Sequence, residues 1–132
     1  MNKRIVIVGA GFLGLSVARS LRKTLTHAYE IVLLDTKDYF FFTPRLIDAL
    51  AGENIESVCK TNLHDLAQRD KFTFIHGEVR EVHRKEQTIS FTKIDHDRSE
   101  TLSYDILVLC QGTRTNDYGI DGVTKETCPL KS

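Results

Sequence analysis

Four stretches of the chain are almost uninterrupted apolar runs: Ile5-Val-Ile-Val8, Ile31-Val-Leu-Leu34, Phe72-Thr-Phe-Ile75 and Ile106-Leu-Val-Leu109. Short runs of this kind, rich in β-branched or aromatic residues, predict strands buried on both faces of a parallel sheet. Gly77 marks the expected end of the third strand, after His76. Between the first two strands, Val17, Ala18, Leu21 and Leu25 recur at helical spacing, with Arg19, Arg22 and Lys23 opposite. They predict a helix of about three turns with one buried stripe, ending near Thr26. A shorter helix is predicted over 62–68, with Leu63, Leu66 and Ala67 on one face and Thr61 or Asn62 as its N-cap. After Gly77 the period changes to two. Val79 and Val82, then Ile89 and Phe91, fit half-exposed antiparallel strands over 78–84, 87–94 and 100–104. The expected fold is therefore α/β, a doubly wound parallel sheet ordered 3-2-1-4 with an inserted antiparallel β-meander. From residue 115 onward there are turn residues but no convincing element.

The link between the first strand and the first helix carries the clearest chemistry. Gly9, Gly11 and Gly14 give the spacing G-x-G-x-x-G, with Ala10, Phe12 and Leu13 between them. Gly9 suits a tight turn out of the strand, Gly11 a close approach to a pyrophosphate, and Gly14 close packing of the helix. The helix N-terminus adds free N–H groups and a positive dipole end. Asp35 closes the second strand about 20 residues later, where a carboxylate accepts hydrogen bonds from a ribose and disfavours a 2′-phosphate. The ligand so predicted is a dinucleotide other than NADP.

Composition narrows the function mainly by exclusion. Among 132 residues, 18 basic and 18 acidic side chains cancel, which gives no electrostatic reason to expect nucleic acid or an anionic membrane. No apolar run approaches the roughly 20 residues that span a bilayer, and no signal peptide is legible, so a cytoplasmic location is expected. Cys59, Cys110 and Cys128 are widely spaced and include no C-x-x-C pair, which argues against a zinc site or a redox dithiol. The five histidines are read as surface or strand-flanking residues, with no metal site.

The segment Asp38-Tyr-Phe-Phe-Phe-Thr-Pro-Arg-Leu-Ile-Asp-Ala-Leu-Ala-Gly52 exceeds what a plain nucleotide domain needs. Pro44 can open a helix, Leu46, Ile47 and Leu50 give it an apolar face, and Gly52 can end it. Pattern alone leaves two readings open, a hydrophobic plug over the sheet or a loop along a planar cofactor.

Taken together, Gly9 to Gly14, Asp35, Phe42-Thr-Pro44, Gly77-Glu-Val79 and Tyr104-Asp-Ile-Leu-Val-Leu-Cys-Gln-Gly112 resemble the FAD domain of two-dinucleotide-binding flavoproteins. More narrowly the chain looks like the type II NADH dehydrogenases, in which electrons pass from NADH through FAD to a quinone. Phe41-Phe-Thr-Pro-Arg-Leu-Ile-Asp-Ala-Leu-Ala-Gly52 and Gly112-Thr-Arg-Thr-Asn-Asp-Tyr-Gly-Ile-Asp-Gly122 carry that narrower likeness. The resemblance implies a Rossmann-like, incomplete FAD/NAD(P)-binding domain. It places the FAD pyrophosphate on Gly9, Ala10, Gly11, Phe12, Leu13 and Gly14, and the adenosine ribose at Asp35 and Thr36. Thr43 and Pro44 fall near the isoalloxazine ring, the Val79 backbone near the adenine, and Gln111, Gly112 and Thr113 over the pyrophosphate and flavin side.

Two departures from the family pattern are visible. Cys110-Gln111-Gly112 replaces a usual Ala-Thr-Gly, and Arg45 replaces a usually apolar residue. No second glycine fingerprint is present for NADH. The expected organisation is residues 1–114 as the N-terminal part of an FAD domain and 115–132 as a crossover toward a nicotinamide domain. Such a piece would bind FAD weakly and not turn over NADH alone. In the complete protein the location would be the cytoplasm or the cytoplasmic face of the membrane, with a homodimer left open. Two alternatives compete: a sulfide:quinone oxidoreductase-like flavoprotein using Cys128, and a non-catalytic module binding NAD or an adenine nucleotide. An associating piece with an exposed edge at the fourth strand is a third, blander outcome.

Overall fold

A computed structural model describes residues 3–25, 28–96, 98–113 and 116–126. Strands β1 (Lys3–Val8), β2 (Tyr29–Asp35), β5 (Thr73–His83) and β8 (Ile106–Leu109) pair in parallel as β5-β2-β1-β8, the expected 3-2-1-4 order. Beyond β5 the sheet continues antiparallel through β6 (Thr88–Lys93) and β7 (Arg98–Ser103).

Alternation along the buried strands divides the core between two faces. Ile5, Ile7, Ile31 and Leu33 pack on one face with Leu15 and Ala18 of α1 (Phe12–Thr24) and Leu63, Leu66 and Ala67 of α4 (Leu63–Asp70). Val6, Val8, Val32 and Leu34 pack on the other face, where Ile89 and Phe91 of β6 meet them. The meander thus covers the face that a second helical layer covers in a plain doubly wound sheet.

Gly77 does not end the third strand. β5 runs through it for 11 residues and becomes the first strand of the meander. A Cβ at Gly77 would lie 3.0 Å from the Thr92 carbonyl oxygen and 3.1 Å from the Phe91 ring. The glycine therefore serves close approach of β6, and a register shift between Val79 and Glu81 bends the strand onward.

The aromatic segment is also more ordered than its sequence suggests. β3 (Tyr39–Phe41) pairs antiparallel with β4 (Lys60–Asn62), and a 3-10 turn over Thr43–Arg45 leads into α2 (Leu46–Leu50) and then α3 (Ile55–Cys59). Ile47 and Leu50 are 75% and 74% exposed, so this short helix is no plug over the sheet. The Asn54 side chain caps α3 by accepting from the Glu56 amide at 2.8 Å. Asn62 caps α4 by accepting from the His64 and Asp65 amides. A single turn, α5 (Val123–Glu126), stands where no element was expected. The division at 114/115, Cys128 and the segment 129–132 lie outside the described residues.

Asp70 fastens α4 to α1, accepting from Nε of Arg19 at 2.6 Å and Nε of Arg69 at 3.0 Å. The Arg69 hydrogen bond, with Arg19 adding to it and partial burial opposing, lowers its carboxyl to about 2. The folded state thus holds this proton less tightly than the unfolded chain. Its stabilisation is complete above about pH 4 and is lost as pH falls through about 2. Because Arg69 faces solvent, about 1 kcal/mol is expected rather than the full value of the shift. Chemical denaturation of Asp70→Asn at about pH 7 and about pH 2.5 should show that loss at neutral pH and less than half of it in acid.

Candidate functional site

The C-terminal ends of β1, β2 and β8 open into one cleft of about 860 Å³. Val8 leads out of β1 into the turn at Gly9, whose φ of +100° suits glycine. A Cβ at Gly9 would lie 2.2 Å from the Cys110 carbonyl oxygen. At Gly14 a Cβ would come within 1.7 Å of the Gly9 carbonyl oxygen and 3.4 Å of Cys110 Cβ. These two glycines are accounted for by packing. Gly11 is different: its backbone is extended, with φ −71°, and a Cβ there would meet nothing within 4 Å. Neither conformation nor packing requires a glycine at this position, and it faces the cleft.

Gly11 is also the N-cap of α1, where no side chain caps the helix and no acidic residue stands in the first turn. A helix start without such compensation suits an anion. Asp35 lies opposite. Its Oδ2 accepts from the Ala10 amide at 2.5 Å and its Oδ1 from the Lys37 amide at 2.9 Å. Oδ1 also has the Thr36 hydroxyl at 3.5 Å, while Oδ2 keeps a further lone pair for a hydroxyl donor, so the carboxylate can fix the glycine turn and still accept from a ribose.

Of the fourteen residues singled out from the sequence, the cleft brings together twelve: Gly9 to Leu13, Asp35, Thr36, Thr43, Val79, Gln111, Gly112 and Thr113. Gly14 lies beneath the turn, and Pro44 stands outside the lining. Sequence reasoning missed Lys37, Tyr39, Phe41, Leu46, Ile55 and Glu78 as lining residues. The aromatic run was a signal for Tyr39 and Phe41, but Ile55 joins only through the β3–β4 ribbon, which no pattern announced. Phe12 packs edge-on to Phe40 at 5.1 Å and near Phe42 at 5.7 Å, joining the ribbon to the start of α1. Arg45 turns away to pair with Asp48 at 2.8 Å and stays out of the lining. Cys110 is buried, and its amide donates to the Val8 carbonyl at 2.7 Å, so the unusual residue there serves the core. Gly112, at φ +75°, makes the turn beyond it.

Among the described residues no cluster of three or more His, Cys, Asp or Glu is placed to hold a metal ion. No helix among them is long and apolar enough to cross a membrane. His76, read from sequence as a surface or strand-flanking residue, is instead largely buried and bonded through both ring nitrogens.

The model of the pyridine nucleotide-disulphide oxidoreductase family matches residues 3–132. The chain belongs to that family. Among its relatives, a type II NADH:quinone oxidoreductase of Staphylococcus aureus is 29% identical over 124 residues, covering 92% of this chain and 29% of the relative. The Staphylococcus epidermidis enzyme of the same name is 28% identical over 133 residues, covering 99% of this chain and 31% of that one. The chain thus spans about three tenths of the length of the curated relatives it matches.

Solved structures agree with the assignment. NDH2 from Plasmodium falciparum in complex with NADH superposes with a TM-score of 0.75 at 25% identity, over 95% of this chain and 25% of that one. The sulfide:quinone oxidoreductase of Aquifex aeolicus gives 0.71 at 25% identity, over 85% and 25%. An NAD-dependent persulfide reductase from A. fulgidus, at 20% identity and TM-score 0.80, shares the fold. In this member of the family the glycine turn, the Asp35 carboxylate and the β8 end converge on one cleft.

Proposed function

We propose that the cleft binds FAD and that the chain is the FAD-binding part of an oxidoreductase carrying electrons from NADH to a quinone. The carrying observation is Gly11, a glycine required by neither backbone nor packing, facing the cleft at an uncapped helix start. Its open side leaves room for a pyrophosphate where any Cβ would project. Asp35 would accept the adenosine ribose hydroxyls, with Thr36 beside it. The backbone around Val79 would border the adenine, and Gln111 to Thr113 would close over the pyrophosphate. Thr43 would shape the flavin end, with Pro44 setting the turn behind it. A bound flavin supplies the electron transfer itself. The residues of this chain hold it, orient it and shield it.

One glycine fingerprint serves one dinucleotide, so these 132 residues by themselves are proposed to bind FAD without oxidising NADH. Residues 1–114 would form the FAD-binding lobe and 115–132 the crossover. NADH and quinone belong to the activity that the longer relatives' names state, and for the complete protein we propose the cytoplasm or the cytoplasmic face of a membrane. A sulfide:quinone oxidoreductase reading draws on the Aquifex aeolicus likeness, and a module for NAD or an adenine nucleotide needs only the segment from β1 to Asp35. The aromatic ribbon lining the cleft favours a flavin over the plain nucleotide module, while the sulfide:quinone reading, itself a flavoprotein, turns on Cys128. Calorimetric titration with FAD, NAD and AMP is expected to rank FAD first. Tighter binding of NAD than FAD would overturn this reading.

A further inference from the structure

His76 stands on β5 as the register partner of Asp35 on β2, with its side chain only 14% exposed. Its Nδ1 lies 2.9 Å from Oδ1 of Asp95, in the turn between β6 and β7. Its Nε2 lies 3.0 Å from the Thr36 carbonyl oxygen, in the turn that follows β2. Both partners are acceptors only, since an ionised carboxylate and a backbone carbonyl have no hydrogen to give. A neutral imidazole has one N–H and would turn a lone pair toward one of them. The imidazolium donates to both.

We propose that protonated His76 is a clamp tying the turn after β2, and with it the ribose end of the cleft, to the β6–β7 turn. Ligand affinity in the cleft is then higher with the ring protonated than with it neutral. The ligand half of this inference rests on the flavin reading above; the clamp itself does not.

Asp95 is in ion-pair contact with the ring, Asp35 is one strand away, and Lys37 lies in the same turn as Thr36. Glu78, two residues along β5, pairs with Arg80 at 2.9 Å. On the α4 side the Phe74 ring stacks on His76 at 6.5 Å, and His64 meets Phe74 edge-on at 4.9 Å, so an aromatic ring separates the two histidines. His96 and Arg98 follow Asp95 in the chain. Two backbone amides complete the linkage: that of Ile94 donates to the His76 carbonyl at 3.2 Å, and that of Lys37 to the Asp35 carboxylate. Releasing Nε2 from Thr36 loosens the turn that positions the Asp35 carboxylate.

Amide hydrogen exchange of Lys37 and Ile94 and calorimetric titration with FAD, at about pH 5.5 and about pH 8, test the clamp in the native chain, His76→Gln and Asp95→Asn. In the native chain, protection of both amides, corrected for intrinsic exchange, is expected to fall about fivefold from acid to alkaline pH, with FAD affinity falling by a similar factor. Both responses should vanish in His76→Gln, whose side chain does not titrate. They should shrink in Asp95→Asn, a change at a 56% exposed side chain that the fold will tolerate if His76→Gln does not. An unchanged pH response in either variant, or none in the native chain, would overturn the clamp. A protection change with flat FAD affinity would overturn its link to the cleft. Absence of FAD binding at both pH values would overturn the flavin reading while the exchange data still decide the clamp.

Discussion

Gly14→Ala is expected to cost about 3 kcal/mol or more and to lower the melting temperature by about 10 °C or more. The added methyl would sit 1.7 Å from the Gly9 carbonyl oxygen. That neighbour is backbone, held by the Gly9 amide bonded to the Leu34 carbonyl at 2.8 Å and by the crossing of β8 at Cys110. No rotamer change relieves the clash, so the start of α1 must move away from the sheet. That movement opens the contact of Leu15 and Ala18 with Ile5, Ile7, Ile31 and Leu33, the centre of one core face. Thermal unfolding followed by circular dichroism checks the size of the effect. A melting temperature within about 2 °C of the native chain would show that the turn is softer than its packing implies.

Gly11→Asp should do the opposite: leave the fold intact and abolish ligand binding. An aspartate at this N-cap can accept from the first-turn amides and complements the helix dipole, and a Cβ there meets nothing within 4 Å. Stability is therefore expected to stay within about 0.5 kcal/mol of native or to rise slightly. For a pyrophosphate the same side chain is an obstacle carrying like charge at close range. FAD affinity should fall about 100-fold or more, equivalent to about 3 kcal/mol. Unfolding curves and FAD titration on the same sample separate the two effects. A Gly11→Asp variant that binds FAD as well as the native chain would remove the main support for placing the pyrophosphate at this turn.

This pair of substitutions also marks how far the sequence could be read. The spacing of Gly9, Gly11 and Gly14 with Asp35 was legible because it is one compact motif, in which Gly9 and Gly14 answer packing demands at the turn and Gly11 leaves open space facing the cleft. The buried parallel strands and their order were legible because four apolar runs with helical links admit few topologies. The Asn62 cap was likewise readable, being a contact between near neighbours. What escaped depends on partners distant in sequence. Gly77 looks like a strand end until β6 is laid beside it, where the missing side chain admits Phe91 and Thr92. β4 is three polar residues, Lys60-Thr-Asn62, whose strand character comes wholly from β3. The exposed Ile47 and Leu50 follow helical spacing, and periodicity alone could not say whether that face is covered. His76 was missed because its importance lies in Thr36 and Asp95, far apart along the chain and joined only through the ring.

The central position of β1 has a consequence for how the chain is made. Its first neighbour, β2, emerges soon after it, but its second, β8, is the last strand among the described residues. The amide of Arg4 donates to the Asp105 carboxylate at 2.6 Å across 101 residues of sequence. At about 5–20 residues per second, a ribosome takes about 5–20 seconds to deliver that partner. Throughout that interval one flank of β1, whose Ile5 to Val8 are buried in the finished fold, stands open beside a nascent helix, exposed to wrong pairing and to chaperone capture. The cleft, whose lining includes Cys110 to Thr113 just beyond β8, cannot be completed until all of these strands have left the ribosome.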